Sequence, residues 1–266
     1  MYSSFLPTAA IALLGLASRA FAASKTLDVN FADFTGTEWS EVEPWLNEQG
    51  LSVSDWPVDD ATKSYTYSPK NVDIHGGVLR LKVTAGEDVV GGEVTSQDED
   101  ILYGTFTAIA KGSKVPGVCQ GIFIWGSDYN EVDIELLSSY YDASMDTDLI
   151  LPGLQFTNRP VVEDTPETNN ATAYASGGEV FDPTDDFHEY QFVWSKTQTS
   201  FYLDGELKQT FKTNVPEGPA QFFLNNWSNG DVHWSAGPPT EDSYFLVKSI
   251  HLGALVFVPL SLVRIG

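Results

Sequence analysis

Residues 128–137 read DYNEVDIELL. In an extended strand successive side chains point to opposite faces, so Glu131, Asp133 and Glu135 share one face while Val132, Ile134 and Leu136 share the other. Three carboxylates at this spacing repel one another, an arrangement a strand built only for stability avoids. On the triplet alone two readings stand: a solvated face that carries three acids, or a set of acids with a chemical use. The use such a set suggests is acid and base work on a bond held between two carboxyl groups.

The residues before the triplet sharpen the second reading. Between GIFIW and EVDIELL lies GSDYN, whose composition suits a tight hairpin. If Trp125 pairs with Glu131, then Phe123 falls opposite Asp133 and Gly121 opposite Glu135, and Tyr129 leans over the same face. Aromatic rings and acids on one surface suit a carbohydrate, whose C–H faces stack on rings and whose hydroxyls bond to polar groups. Glycoside hydrolysis through a covalent intermediate needs two carboxyls about 5 to 5.5 Å apart. Glu131 and Glu135 are separated by roughly 13 Å at Cα in an extended strand. Strand curvature and two side chains leaning together close most of that gap, and Asp133 between them helps to keep one Glu protonated.

Such a face needs a rigid sheet beneath it. Short runs rich in Val, Ile, Phe, Tyr and Thr recur between Gly, Asp, Asn and Pro clusters, among them VLRLKVT, EYQFVWS, TSFYLDG and AQFFLNNW, as expected of many antiparallel strands. The expected fold is all-β, a β-sandwich of jelly-roll type, with one helical turn near SEVEPWLN. SSYYDASMDTD and VVEDTPETNNATAYASGG read as surface loops. With 266 residues, 42% hydrophobic, the chain can bury the core of a single domain.

A formal charge of −23 sets nucleic acid and anionic membranes aside as partners, since phosphate binding needs clustered Lys and Arg. The run FLPTAAIALLGLA followed by AFA reads as a signal peptide, residues 1–22, cut after Ala22. It is too short for a confident membrane span. The domain is expected over 23–253, and the protein is expected to be secreted, extracellular or in a cell wall, and monomeric. Residues 254–266, ALVFVPLSLVRIG, form an apolar tail best read as a covered final segment or a gene-model error. Cys119, the single cysteine, excludes an intrachain disulfide and reads as a buried thiol. Asn170 in NAT and Asn226 in NWS are glycosylation sequons, Asn170 the better placed. No ligand spacing of a calcium loop is present, and no cofactor or metal is implied.

The ordered series YGTFTAIAK, PGVCQGIFIW, NEVDIE, FHEYQFVW, FYLDGEL, FLNNWSNGD, WSAGPP and YFLVKSIHL resembles glycoside hydrolase family 16, the laminarinases, lichenases and related cell-wall transglycosylases, whose signature is Glu-x-Asp-x-Glu. The resemblance implies a concanavalin A-like lectin/glucanase sandwich. It implies that Glu131 is the nucleophile, Glu135 the general acid/base and Asp133 the assisting acid, acting with retention. Asn225 and Trp227 match the family's Asn-x-Trp pair and are expected at the sugar, as are Phe123, Trp125 and Tyr129. Gln155 is a further expected hydrogen-bonding partner. His188 is either a cleft residue or a structural histidine, and Tyr190 and Trp194 are either core residues or substrate contacts. Thr107 and Ile109 stand where many relatives carry Glu and Arg, which removes polar groups expected near the nucleophile. The implied activity is endo-cleavage of β-1,3 or mixed β-1,3/1,4-glucan. Transglycosylation is the alternative that shares the intermediate, and a non-catalytic lectin the alternative that shares only the fold.

Overall fold

A computed structural model describes residues 21–142, 153–161, 170–175 and 178–258. The period-two patterns fold into two sheets packed face to face. One runs in the order β15 (Glu206–Phe211), β14 (Thr199–Leu203), β13 (His188–Trp194), β8 (Ile101–Lys111), β17 (Ser243–Val258), β6 (Val78–Val83) and β5 (Val72–His75), with β1 (Phe21–Asn30) added along β17. The other runs β12 (Asn170–Thr172), β11 (Leu154–Arg159), β10 (Asn130–Leu137), β9 (Cys119–Ser127), β16 (Gln221–Trp227), β7 (Val90–Ser96), β4 (Tyr65–Tyr67) and β3 (Pro57–Val58), with β2 (Leu51–Val53) beside β7. The pairings are antiparallel except β4 with β7. This is the jelly-roll sandwich expected from the strand pattern.

One phase of each strand builds the core. Val132, Ile134 and Leu136 of β10 meet Ile122 and Ile124 of β9 and Phe222 and Leu224 of β16, all buried in one apolar cluster with the inner face of the opposite sheet. Aromatic rings cross the interface: Phe156 of β11 stacks on Phe201 of β14 at 4.9 Å, and Phe106 of β8 on Phe222 at 6.0 Å. Each such pair contributes about 0.5–1.5 kcal/mol beyond the area it buries. Tyr190 and Trp194 are core residues, the Trp194 indole donating to Pro216 O at 2.8 Å.

The helical turn near SEVEPWLN is a short 3-10 turn leading into α1 (Val42–Glu48). Glu41 Oε2 accepts from Thr37 N and Glu38 N at 2.9 and 3.0 Å, which satisfies amide groups at the helix start. Val42 and Leu46, four apart, are its buried face.

Three expectations change. The domain edge placed at 253 falls inside β17, which continues to Val258 by pairing with β1 and β8; residues 259–266 lie outside the described part. Asn170 belongs to β12 rather than to a loop, because Gln155, Phe156 and Thr157 of β11 pair with it and its two successors; residues 162–169 and 143–152 of the two polar segments lie outside the described part. The Asn226 side chain, in the sequon already less favoured, is buried and donates to Leu81 O and Ser243 O at 2.9 and 3.2 Å, so that sequon is closed in the folded protein. Thr107 and Ile109 lie on β8, in the sheet opposite the acids, where Thr107 accepts a bond from Gln191 at 3.0 Å. Their identity therefore leaves the surroundings of Glu131 unaffected. The signal peptide expected over residues 1–22 overlaps β1 at Phe21 and Ala22, which pair with Val258 and Phe257; residues 1–20 lie outside the described part. Among the described residues no helix is long and apolar enough to cross a membrane.

Candidate active site

The hairpin β9–β10 has the register that the sequence predicts: Glu131 faces Trp125, Asp133 faces Phe123 and Glu135 faces Gly121. Asn130 pairs with Ser127 before a bulge that leaves Gly126 unpaired. A side chain at Gly126 would meet Asn130 Nδ2 and Pro219 O, both 2.4 Å from its Cβ, so glycine is required by that close approach. Asn130 locks this corner, donating to Gly218 O and Pro219 O at 3.1 and 2.9 Å and accepting from Gly218 N at 3.2 Å. On the other side of β10 the three acids face Arg159, Thr157 and Gln155 of β11.

The acids line a cleft of about 680 Å³ whose floor comes from one phase of β4, β7, β9, β10 and β16, within the size range of ligand sites. The solvent that a polar strand face would have is largely gone, since Asp133 is 2% exposed and Glu135 8%. Burial, then the charges of Glu131 and Glu135, hold the Asp133 carboxyl well above its usual range, against the pull of Arg159. Burial also raises Glu131, partly offset by Arg159 and by the hydrogen bond from Asp133. These directions put the proton on Asp133, which donates to the Glu131 carboxylate. Arg159 Nε lies 3.6 Å from Asp133 Oδ2 and 3.9 Å from Glu131 Oε2. Burial would lower the guanidinium's affinity for its proton, and the three acids more than reverse that.

Glu135 is held differently. Its Oε1 accepts from Trp234 Nε1 at 3.1 Å and lies 3.2 Å from Cys119 Sγ. Cys119 is the buried thiol expected, and its nearness to an acid was legible in principle: it continues the row Gly121, Phe123, Trp125 on one face of β9. No periodic signal points to Trp234, which reads as loop.

The floor beyond the acids holds residues that sequence reasoning missed. Glu93 of β7 is buried, accepts from Ser54 Oγ at 2.7 Å and from Asn225 Nδ2 at 3.2 Å, and is pushed up to about 7 by burial in spite of those bonds. Asn225 also donates to the Tyr67 hydroxyl at 2.9 Å and accepts from Gly121 N at 3.1 Å. A Cβ at Gly121 would stand 2.6 Å from that Asn225 oxygen. Trp227 stacks on Tyr65 at 5.6 Å and Phe123 on Phe223 at 4.9 Å. Together with Trp125 and Trp56 they give the cleft its aromatic walls. An acid directly after two glycines in GGEVTS was the available signal for Glu93; Tyr65 arrives from a distant short strand and Trp56 from the residue before another, which alternation does not place.

Of the expected sugar contacts, Phe123, Trp125, Asn225 and Trp227 line this cleft with the three acids. The structure does not bring in the others. Tyr129 sits at the hairpin tip, 77% exposed, because the bulge turns the strand before it. Gln155 stands beside Glu135 in register, yet it is buried and donates to Thr172 at 3.0 Å. His188 is on β13 in the opposite sheet, where its ring nitrogens lie 2.8 Å from Asp204 and 3.1 Å from Asp185. Burial would lower its pKa, and those two carboxylates raise it overall, as for a structural histidine.

Comparison with known proteins agrees with this geometry. The family model described as "Glycosyl hydrolases family 16" matches residues 59–242. A "Beta-glucanase" of Brevibacillus brevis is 27% identical over 209 residues, 74% of this chain and 69% of the relative. "Crh-like protein 2" of Aspergillus fumigatus is 27% identical over 220 residues, 75% of this chain and only 45% of that longer protein. The solved structure titled "Apo Crh5 transglycosylase" superposes with a TM-score of 0.58 at 17% identity, covering 86% of this chain and 83% of that one, which is likeness of fold.

Proposed function

Because the chain belongs to the glycosyl hydrolases of family 16, we propose that it is a secreted, retaining endo-β-glucanase acting on β-1,3 or mixed β-1,3/1,4-glucan outside the cell or in a cell wall. The observation that carries this reading is the file of three acids on one strand face, Asp133 and Glu135 buried and Glu131 half-buried, continued across neighbouring strands by aromatic rings. From β10 to β3 the cleft sheet spans five strand spacings, roughly 24 Å. A glycan laid across the strands meets Trp125, Phe123, Trp227 and Trp56 as stacking surfaces.

Glu131, kept ionised by the proton on Asp133 and by Arg159, attacks the anomeric carbon. The C–O bond breaks, its electron pair stays on the leaving oxygen, and that oxygen takes the proton of Glu135. The resulting glycosyl ester at Glu131 is cleaved by water that gives its proton to Glu135, and configuration is retained. The name of the Brevibacillus relative supports the glucan assignment.

A second reading keeps the ester and replaces water by a sugar hydroxyl. The Crh-like relative and the transglycosylase structure favour it. Incubation with laminarin, mixed-linkage β-glucan and xyloglucan, with a labelled oligosaccharide acceptor, separates the two. New reducing ends mean hydrolysis, and longer labelled products without net reducing ends mean transfer. Glu131→Gln is expected to lower either activity by at least about 10³-fold with an unchanged circular dichroism spectrum. Full activity in that variant rejects the assignment.

A further inference from the structure

Two groups from distant parts of the chain converge on one oxygen of Glu135. Trp234 Nε1 donates to Oε1 at 3.1 Å, and Cys119 Sγ lies 3.2 Å from the same atom. The second oxygen, Oε2, is also buried and has no hydrogen-bond partner among the described residues. An indole N–H can only donate. The thiol is fully buried, and burial and the charge of Glu135 push its pKa well up, so it remains S–H and donates as well. An oxygen that accepts from two donors has its lone pairs engaged and is a poor place for the carboxyl proton. The loop that brings Trp234 is itself tied down: Ser235 Oγ donates to Asn229 Oδ1 at 2.8 Å, and Ser139 Oγ donates to Ser235 O at 3.1 Å.

We propose that Cys119 and Trp234 are positioning residues that hold Oε1 of Glu135 as the acceptor and thereby make Oε2 the atom that delivers the proton to the glycosidic oxygen. The inference rests on the reading of Glu135 as the general acid/base. As the C–O bond breaks, the proton leaves Oε2 for the departing oxygen and Glu135 becomes a carboxylate. The two donors then face a full charge and their bonds strengthen. When water attacks the ester at Glu131, the proton returns to Oε2. Both residues therefore act on the steps in which Glu135 gives or receives a proton.

The test uses the full chain as unsubstituted protein and as Cys119→Val, Cys119→Ser and Trp234→Phe. Two substrates are compared: β-glucan, and short β-linked glucosyl oligosaccharides carrying 2,4-dinitrophenolate, which departs without a proton. Cys119→Val and Trp234→Phe are expected to lower kcat on β-glucan about 10- to 100-fold, the worth of a hydrogen bond to a charged group. Cys119→Ser, which keeps a donor, is expected within about 3-fold of the unsubstituted protein. The first-turnover release of dinitrophenolate is expected to be unchanged within about 3-fold in all three. A packing role predicts the reverse order, since valine matches cysteine in shape and serine buries a hydroxyl, and it slows both substrates alike. Either result overturns the inference, as does full glucan activity in Trp234→Phe, a variant on a loop that remains informative if Cys119→Val fails to fold. If the unsubstituted protein turns over neither substrate, the reading of the site falls and the inference with it. Activity in that protein with indifferent variants removes the inference alone.

Discussion

Among the described residues Arg159 is the positive charge that reaches the acids of β10, and the ionisation of Glu131 depends on it. Glu131 already sits above the usual carboxylate range because burial outweighs the guanidinium. Removing that charge leaves burial less opposed, so the Glu131 pKa rises further. Attack requires the ionised form, and the acidic limb of kcat/KM is therefore expected to move to higher pH in Arg159→Met and partly back in Arg159→Lys. A pH profile with an unmoved acidic limb would show that the charge does not act on the nucleophile. At this scale the sequence was informative wherever one register argument reached. Glu131, Asp133, Glu135, Phe123 and Trp125 share the cleft as alternation and the hairpin predict. Cys119 continues the β9 row itself, and Arg159 needed the argument carried one strand further.

The hairpin β9–β10 is the element that turns a row of acids into a site. Because side chains alternate, a slip of one residue would send Glu131, Asp133 and Glu135 into the core and Val132, Ile134 and Leu136 into the cleft. The bulge at Gly126 and the three bonds of Asn130 hold the register at the turn end of the hairpin. Asn130→Ala is expected to destabilise the protein by about 1–3 kcal/mol, since it leaves Gly218 and Pro219 backbone groups unpaired. Denaturant unfolding measures that loss, and a midpoint equal to that of the unsubstituted protein would show that the turn alone sets the register. His188 marks the limit of element-scale reading: its alternation with Tyr190, Phe192 and Trp194 is real, but these share the inner phase of the other sheet's strand while its ring is taken by Asp185 and Asp204 at the strand's end.

The whole molecule carries a formal charge of −23, and the compact state concentrates that repulsion. Raising the ionic strength from about 0.01 to 0.15 M shortens the screening length from about 30 to about 8 Å. The melting temperature is expected to rise by a few degrees over that range, as followed by circular dichroism. A constant or falling value would show that favourable ion pairs, such as Arg80 with Asp73 at 2.5 Å, outweigh the net repulsion. The same surplus of acid is compatible with a neutral glycan and opposes a polyanionic one.

By itself the sequence determined the all-β class, the acid triplet and its opposing aromatics, because alternation and hairpin pairing are local and need only a few consecutive residues. Only the tertiary structure decided which sheet each strand joins. That choice moved Thr107, Ile109 and His188 away from the acids and brought Glu93, Tyr65 and Trp56 to the cleft from stretches far off in the chain. It also decided that a loop tryptophan and a buried thiol meet one oxygen of Glu135. The physical reason is that sheet membership and loop placement are set by long-range burial of the whole core, which no short stretch of residues encodes.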